Sequence, residues 1–289
     1  MTVLDPPALV STPQRPSRRA VRDLTRSGPF VAGAVILLFW AVCAAFGTHL
    51  APYPPDAVDL HAINAVPSGR HLFGTDQLGR DVFSRVLVGS RSVLLVALSA
   101  SFLGTAAGAV IGLLVGFFRG IVDEVAGRIF EAVIVLPLIV TALLVIAALG
   151  PSSTTVALTI SVIFVPIVAR TTRAAVLAEV RLDYLPAAQL RRESRVFTIF
   201  GELLPNVLAP ILVEFTVRFG YAIFVVATLS FLGFGVQPPT PDWGLDVATN
   251  VALLSAGYWW EVAFAALAIA SLIVGVNLIS DSIERLVNR

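Results

Sequence analysis

Apolar positions in this chain fall into long unbroken blocks, without the alternating or every-third-or-fourth rhythm of a water-soluble fold. Six can be drawn: residues 30–50, 92–118, 129–149, 155–176, 206–232 and 258–280. At about 1.5 Å of helical rise per residue, each can cross roughly 30 Å of hydrocarbon. No water satisfies the backbone at that depth, so helices are the form the blocks predict. The expectation is an all-α integral membrane protein with six crossings. The first block follows a basic segment, RPSRRAVRDLTRS, as a secretory leader would. Its length and the blocks behind it mark it instead as a retained helix.

The polar stretches divide the rest. Residues 1–28 form a basic N-terminal segment, and 29–289 one six-helix membrane domain. Arginine placement orients it. With the N-terminus inside, the inner segments hold Arg15, Arg18, Arg19, Arg22, Arg26, Arg119, Arg128, the group from Arg170 to Arg195, Arg285 and Arg289. The outside keeps Arg70, Arg80, Arg85 and Arg91, in a loop that also carries acids. The positive-inside rule then places both termini in the cytoplasm. Residues 51–91 and 233–257 become outer loops, and 177–205 a cytoplasmic loop. In the first outer loop, Asp81 can cap a short helix in the membrane interface, with Val82, Phe83, Val86 and Leu87 on one face. In the second, Pro238, Pro239 and Pro241 stiffen the chain while Gly233, Gly235 and Gly244 supply turns.

Composition sharpens this picture. Hydrophobic residues make up 57% of the 289 and charged ones 13%, about half the roughly one quarter of a soluble domain. A net charge of +1 creates no field that would draw nucleic acid. The single cysteine, Cys43, permits neither a disulfide framework nor a thiolate metal site. The chain has no lysine, all 20 basic residues being arginine, so a phosphate-binding G-x-x-x-x-G-K-[ST] loop cannot be written in it. His49, His61 and His71 match no metal-ligand spacing and read as solvated loop residues.

Three groups of residues stand out inside this frame. Gly104, Gly108, Gly112 and Gly116 recur every fourth residue along one face of the second span, where missing side chains let another helix come close. Glu214 and Arg218 lie one turn apart deep in the fifth span. Charges there are costly, so they form a self-neutralised structural pair or line a solute pathway. The loop DYLPAAQLRRESRVFTIFGELLPN, residues 183–206, puts charges and two prolines into the middle of an apolar chain. Asp183 can cap a helix there, Pro186 is tolerated in its first turn, and Ala187 and Ala188 are small enough for another protein to approach. Arg191, Arg192 and Arg195 follow, and Pro205 with Asn206 should break the chain before the fifth span. A docking helix and a solvated loop both fit.

Taken together, these residues resemble the inner-membrane permease subunits of ABC importers for peptides and nickel, of the C type found in dipeptide and oligopeptide systems. The resemblance runs from about residue 18 to the end. HLFGTDQLGRDVFSRVLVGSRSVLLVAL looks like the family's first-loop signature, and LSFLGFGVQPPTPDWG, 229–244, like its fifth-span signature. D-Y-L-P-A-A followed by L-L-P-N is similar to its cytoplasmic coupling loop. The resemblance implies a type I permease bundle in the bacterial inner membrane, with no ATP site of its own. It would form half of a heterodimeric pathway with a second permease. Two ATP-binding subunits would hold ATP and Mg, and an extracytoplasmic solute-binding protein would deliver cargo. Asp183, Tyr184, Ala187, Ala188, Arg191 and Arg192 would then make up the ATPase-coupling element. Di- or oligopeptides are the implied cargo; nickel chelates, glutathione and haem are cargo of related systems. A non-transport receptor or intramembrane enzyme is the rival class, against which stand the lack of a signalling domain and of a catalytic constellation. The chain departs from the family pattern at Arg192, where a glycine is usual, and at Pro186, Glu202 and Val226.

Overall fold

A computed structural model describes residues 26–182 and 193–287. The described residues form helices and connecting loops, with one isolated bridge between Thr75 and Asp81 and no strand. The helices are α1 (Gly28–Leu50), α2 (Val82–Phe118), α3 (Ile121–Ile134), α4 (Leu138–Leu149) and α5 (Ser153–Glu179). A long run, α6 (Arg195–Phe231), follows, then α7 (Trp243–Asn250), a 3-10 segment Val251–Ala256, and α8 (Trp260–Val287). Five of them, α1, α2, α5, α6 and α8, are each long and apolar enough to cross a membrane.

The sixth crossing differs from expectation. A single helix over 129–149 is replaced by α3 and α4, bent by 86° at the break between them. Pro137 explains the break: it brings no N–H to the helical ladder and disfavours helical geometry at Leu136. The 12 residues of α4 reach about 18 Å, too short for a straight crossing on their own.

Two further expectations are corrected. No separate interfacial helix exists over 82–91, because that stretch is the first part of the 37-residue α2. Asp81 does cap it, accepting from the Ser84 N–H at 2.8 Å, but neither glycine nor proline pairs interrupt the helix after Arg91. Residues 82–87 are mostly buried against protein, Arg85 included. Nor do Pro205 and Asn206 break the chain before the fifth span. The helix runs on through them, loosened into a π turn at Thr198–Leu203. Pro205 cannot donate to the carbonyl of Gly201, and the wider turn absorbs that lost bond. The Asn206 side-chain amide meets the Glu202 carbonyl at 3.0 Å instead.

Packing follows the small residues. Gly104, Gly108, Gly112 and Gly116 lie along the seam between α2 and α5. A methyl group on Gly108 would come within 2.7 Å of Val168 Cβ, and one on Gly112 within 2.5 Å of the Ala169 carbonyl. The two backbones therefore touch where side chains are missing. The main apolar cluster joins Trp40, Val93, Phe164, Ile223, Trp243 and Leu272, from six different helices. A smaller one, with Leu113, Val176, Ile199 and Leu203, ties α2 and α5 to the start of α6 at the opposite end.

Candidate functional site

Glu214 and Arg218 sit near the middle of the regular part of α6, Leu204–Phe231. Arg218 Nε donates to Glu214 Oε2 at 2.9 Å, and Thr171 of α5 donates its hydroxyl to Glu214 Oε1, also at 2.9 Å. The guanidinium carbon lies 5.7 Å from the centre of the Phe164 ring and 5.3 Å from that of Tyr221. Phe164 is fully buried, whereas Tyr221 is 54% exposed. The Glu214 and Arg218 side chains keep 15% and 14% of their surface exposed. The pair is thus self-neutralised, and each side chain keeps a small part of its surface exposed. Spacing alone located the Glu–Arg contact; Thr171 and the two rings became visible only once α5 packed against α6.

A second polar constellation occupies the end of the bundle that carries residues 51–81 and α7. His71 Nδ1 and Asp81 Oδ1 are 2.9 Å apart, and both residues are buried. The solvated histidine expected at 71 is thereby corrected: Asp81 draws it inward while also capping α2. Arg85 donates to Asp246 at 2.6 Å, joining α2 to α7, and Arg80 pairs with Asp76 at 2.6 Å. The indole N–H of Trp243 reaches the Val86 carbonyl at 2.9 Å, and that of Trp260 the Thr75 carbonyl at 3.1 Å. Asp242 caps α7 through the Leu245 N–H at 3.1 Å. Burial pushes its carboxyl up to about 6, against the pull of that hydrogen bond. Gly244, expected in a turn, belongs to α7 and packs on the Ala227 carbonyl and Ser230. These links missed by the sequence reading lie in the stretches RHLFGTDQLGRDVFSR and TPDWGLD. Their dense charges were a signal; their partners, up to 185 residues apart, were not readable.

At the opposite end, α5 stops at Glu179 and α6 starts at Arg195, where Ser194 caps it through the Phe197 N–H at 3.2 Å. Asp183, Tyr184, Ala187, Ala188, Arg191 and Arg192, the expected coupling residues, lie outside the described residues. Nearby, Arg173 of α5 holds both carboxylate oxygens of Asp123 of α3, one of them at 2.7 Å.

The described residues thus form a bundle of membrane-length helices with a charged pair near the middle of α6 and a buried polar cap at one end. Residues 108–289 match the family model described as the inner membrane component of binding-protein-dependent transport systems. Residues 15–67 match that of the N-terminal transmembrane domain of oligopeptide transport permease C. The chain belongs to this family of ABC-transporter permeases and is a multi-pass protein of the bacterial inner membrane. The di/tripeptide transport system permease protein DppC of Pseudomonas aeruginosa is 34% identical over 260 residues, 88% of this chain and 86% of that one. The dipeptide transport system permease protein DppC of Escherichia coli K12 is 35% identical over 278 residues, 94% of this chain and 92% of that one. Among solved structures, a chain of the MetNI methionine ABC transporter, in an inward-facing form, aligns with a TM-score of 0.54 at 17% identity. It covers 71% of this chain and 97% of that one. That likeness concerns the fold alone.

Proposed function

We propose that this chain forms one half of the pathway of an ATP-driven importer of short peptides. A second permease supplies the other half, and an extracytoplasmic binding protein delivers the cargo. ATP and Mg are held by separate ATPase subunits. These engage the loop 177–205, through Asp183, Tyr184, Ala187, Ala188, Arg191 and Arg192, on the cytoplasmic side where both termini lie. Two full-length relatives carrying di- and tripeptide names support the cargo. The observation that carries the pathway is the part-exposed Glu214–Arg218 pair at mid-span. A charged group facing lipid there costs several kcal/mol, so the face bearing it belongs toward water or protein.

Reconstitution tests this. The tagged chain is recovered from native membranes in mild detergent, its co-purifying subunits are identified by mass spectrometry, and the complex is placed in vesicles with a labelled dipeptide. A second six-span permease and ATPases should co-purify in comparable amounts, and uptake should require ATP. Glu214→Ala should slow uptake in complexes that still assemble; unchanged uptake would remove the pair from the pathway.

A further inference from the structure

The guanidinium of Arg218 has more donors than its partner uses. Glu214 takes the Nε–H, which leaves the four N–H bonds of Nη1 and Nη2 with no acceptor among the described residues. Those two nitrogens form the end-on edge of a planar fork, the shape that receives a carboxylate through two parallel hydrogen bonds. The guanidinium carbon lies over the rings of Phe164 and Tyr221, at 5.7 and 5.3 Å from their centres. Thr171 in turn anchors Glu214. The fork is therefore positioned in advance, and its aromatic neighbour Tyr221 is more than half exposed.

We propose that the free edge of Arg218 receives the C-terminal carboxylate of the transported peptide during its passage. This rests on the peptide reading above and names the part of the cargo that the mid-span site recognises. Peptides of varied sequence share few features: a backbone, an amino end and a carboxylate end. A pathway that admits many of them can read charge only at those ends. Glu214 makes the assignment workable, since an unpaired arginine at mid-span would trap an anion. A neutralised one binds the carboxylate weakly enough to release it, as passage requires.

The test compares uptake of an alanine dipeptide with a free carboxylate and of the same dipeptide amidated, in vesicles holding the whole complex and its binding protein. The quantity read is the ratio of the two rates, normalised to wild type, so that the binding protein's own preference cancels. Arg218→Gln should lower the ratio about three- to tenfold, the range expected for one charge-assisted bidentate contact in a wet site. Arg218→Lys should restore part of it. Glu214→Gln, which frees the arginine to hold the carboxylate, should slow the free-carboxylate peptide more than the amide. Should Arg218→Gln fail to assemble, the neutral pair Glu214→Gln/Arg218→Gln gives the same comparison and should show the same fall. An unchanged ratio in assembled complexes of either kind would overturn the assignment, as would equal slowing of both peptides, which marks a contact with the sister permease. Wild-type complexes that import neither peptide would instead overturn the peptide reading, and this assignment with it.

Discussion

The two ends of the bundle are held together by different means. At the end carrying residues 51–81, polar side chains lock the elements to one another: His71 to Asp81, Arg85 to Asp246, Trp243 to Val86 and Trp260 to Thr75, nearly all of them buried. At the other end the described cross-link between α3 and α5 is Arg173 to Asp123, whose side chains keep 30% and 19% of their surface exposed. Close by, the helix α6 is loosened into a π turn. Buried, directional bonds hold one geometry; part-exposed pairs and irregular turns yield at smaller cost. Among the described residues, the firmer hold is at the first end and the looser one at the second, where α5 stops and α6 starts.

The largest expected effect is at the rigid end. Asp246→Ala would leave the Arg85 side chain, 5% exposed, buried without its main partner, which costs about 3–5 kcal/mol. Thermal unfolding in detergent should show it as a large drop in midpoint; a small one would mean that the cap is not what holds this end. Next comes the α2–α5 seam that runs between the ends. Gly112→Val drives new atoms into the Ala169 carbonyl and Thr172, worth about 3 kcal/mol of overpacking. Loss of folded protein is expected, and a well-folded variant would show that the helices can separate.

Acidity gives a smaller effect of defined sign. Burial raises the Asp242 carboxyl to about 6 from its ordinary 3.8, so the folded chain holds that proton more tightly than the unfolded one. The contribution is fully present below about pH 4 and is lost as pH rises through about 6, on the order of 3 kcal/mol. Unfolding midpoints measured across that window should fall with rising pH, and Asp242→Asn, which keeps the cap, should flatten the trend. The smallest effect belongs to the yielding end. Asp123→Asn should cost about 1 kcal/mol or less because water screens the pair. Stability matching that of Asp246→Ala would erase the distinction between the ends.

Much of this was legible in the chain. Blocks of apolar residues announced the membrane helices, a four-residue glycine repeat announced the seam, and i,i+4 spacing announced the Glu214–Arg218 contact. Local patterns carry such information because their partners lie within a turn or on one helix face. Arg85 and Asp246 are 161 positions apart, and no periodicity links them. His71 read as a loop residue because burial by Asp81 and Tyr53 is a tertiary event; the Tyr53 ring lies 5.0 Å from the histidine. Pro137 was visible, but its apolar neighbours on both sides concealed the bend. Around Glu214, the sequence supplied the pair and the fold supplied the aromatic walls.

The length of α2 has a mechanical consequence. Its 37 residues make a rod about 55 Å long, roughly 25 Å more than the hydrocarbon needs. Its upper third is bolted into the buried cap by Arg85 and the Val86 carbonyl, while its lower turns face α5 and the start of α6. A swing of about 5° over such a rod displaces the far end by about 5 Å, with no bond inside the helix altered. Small rotations at one face of the membrane are thus magnified into displacements of side-chain size at the other.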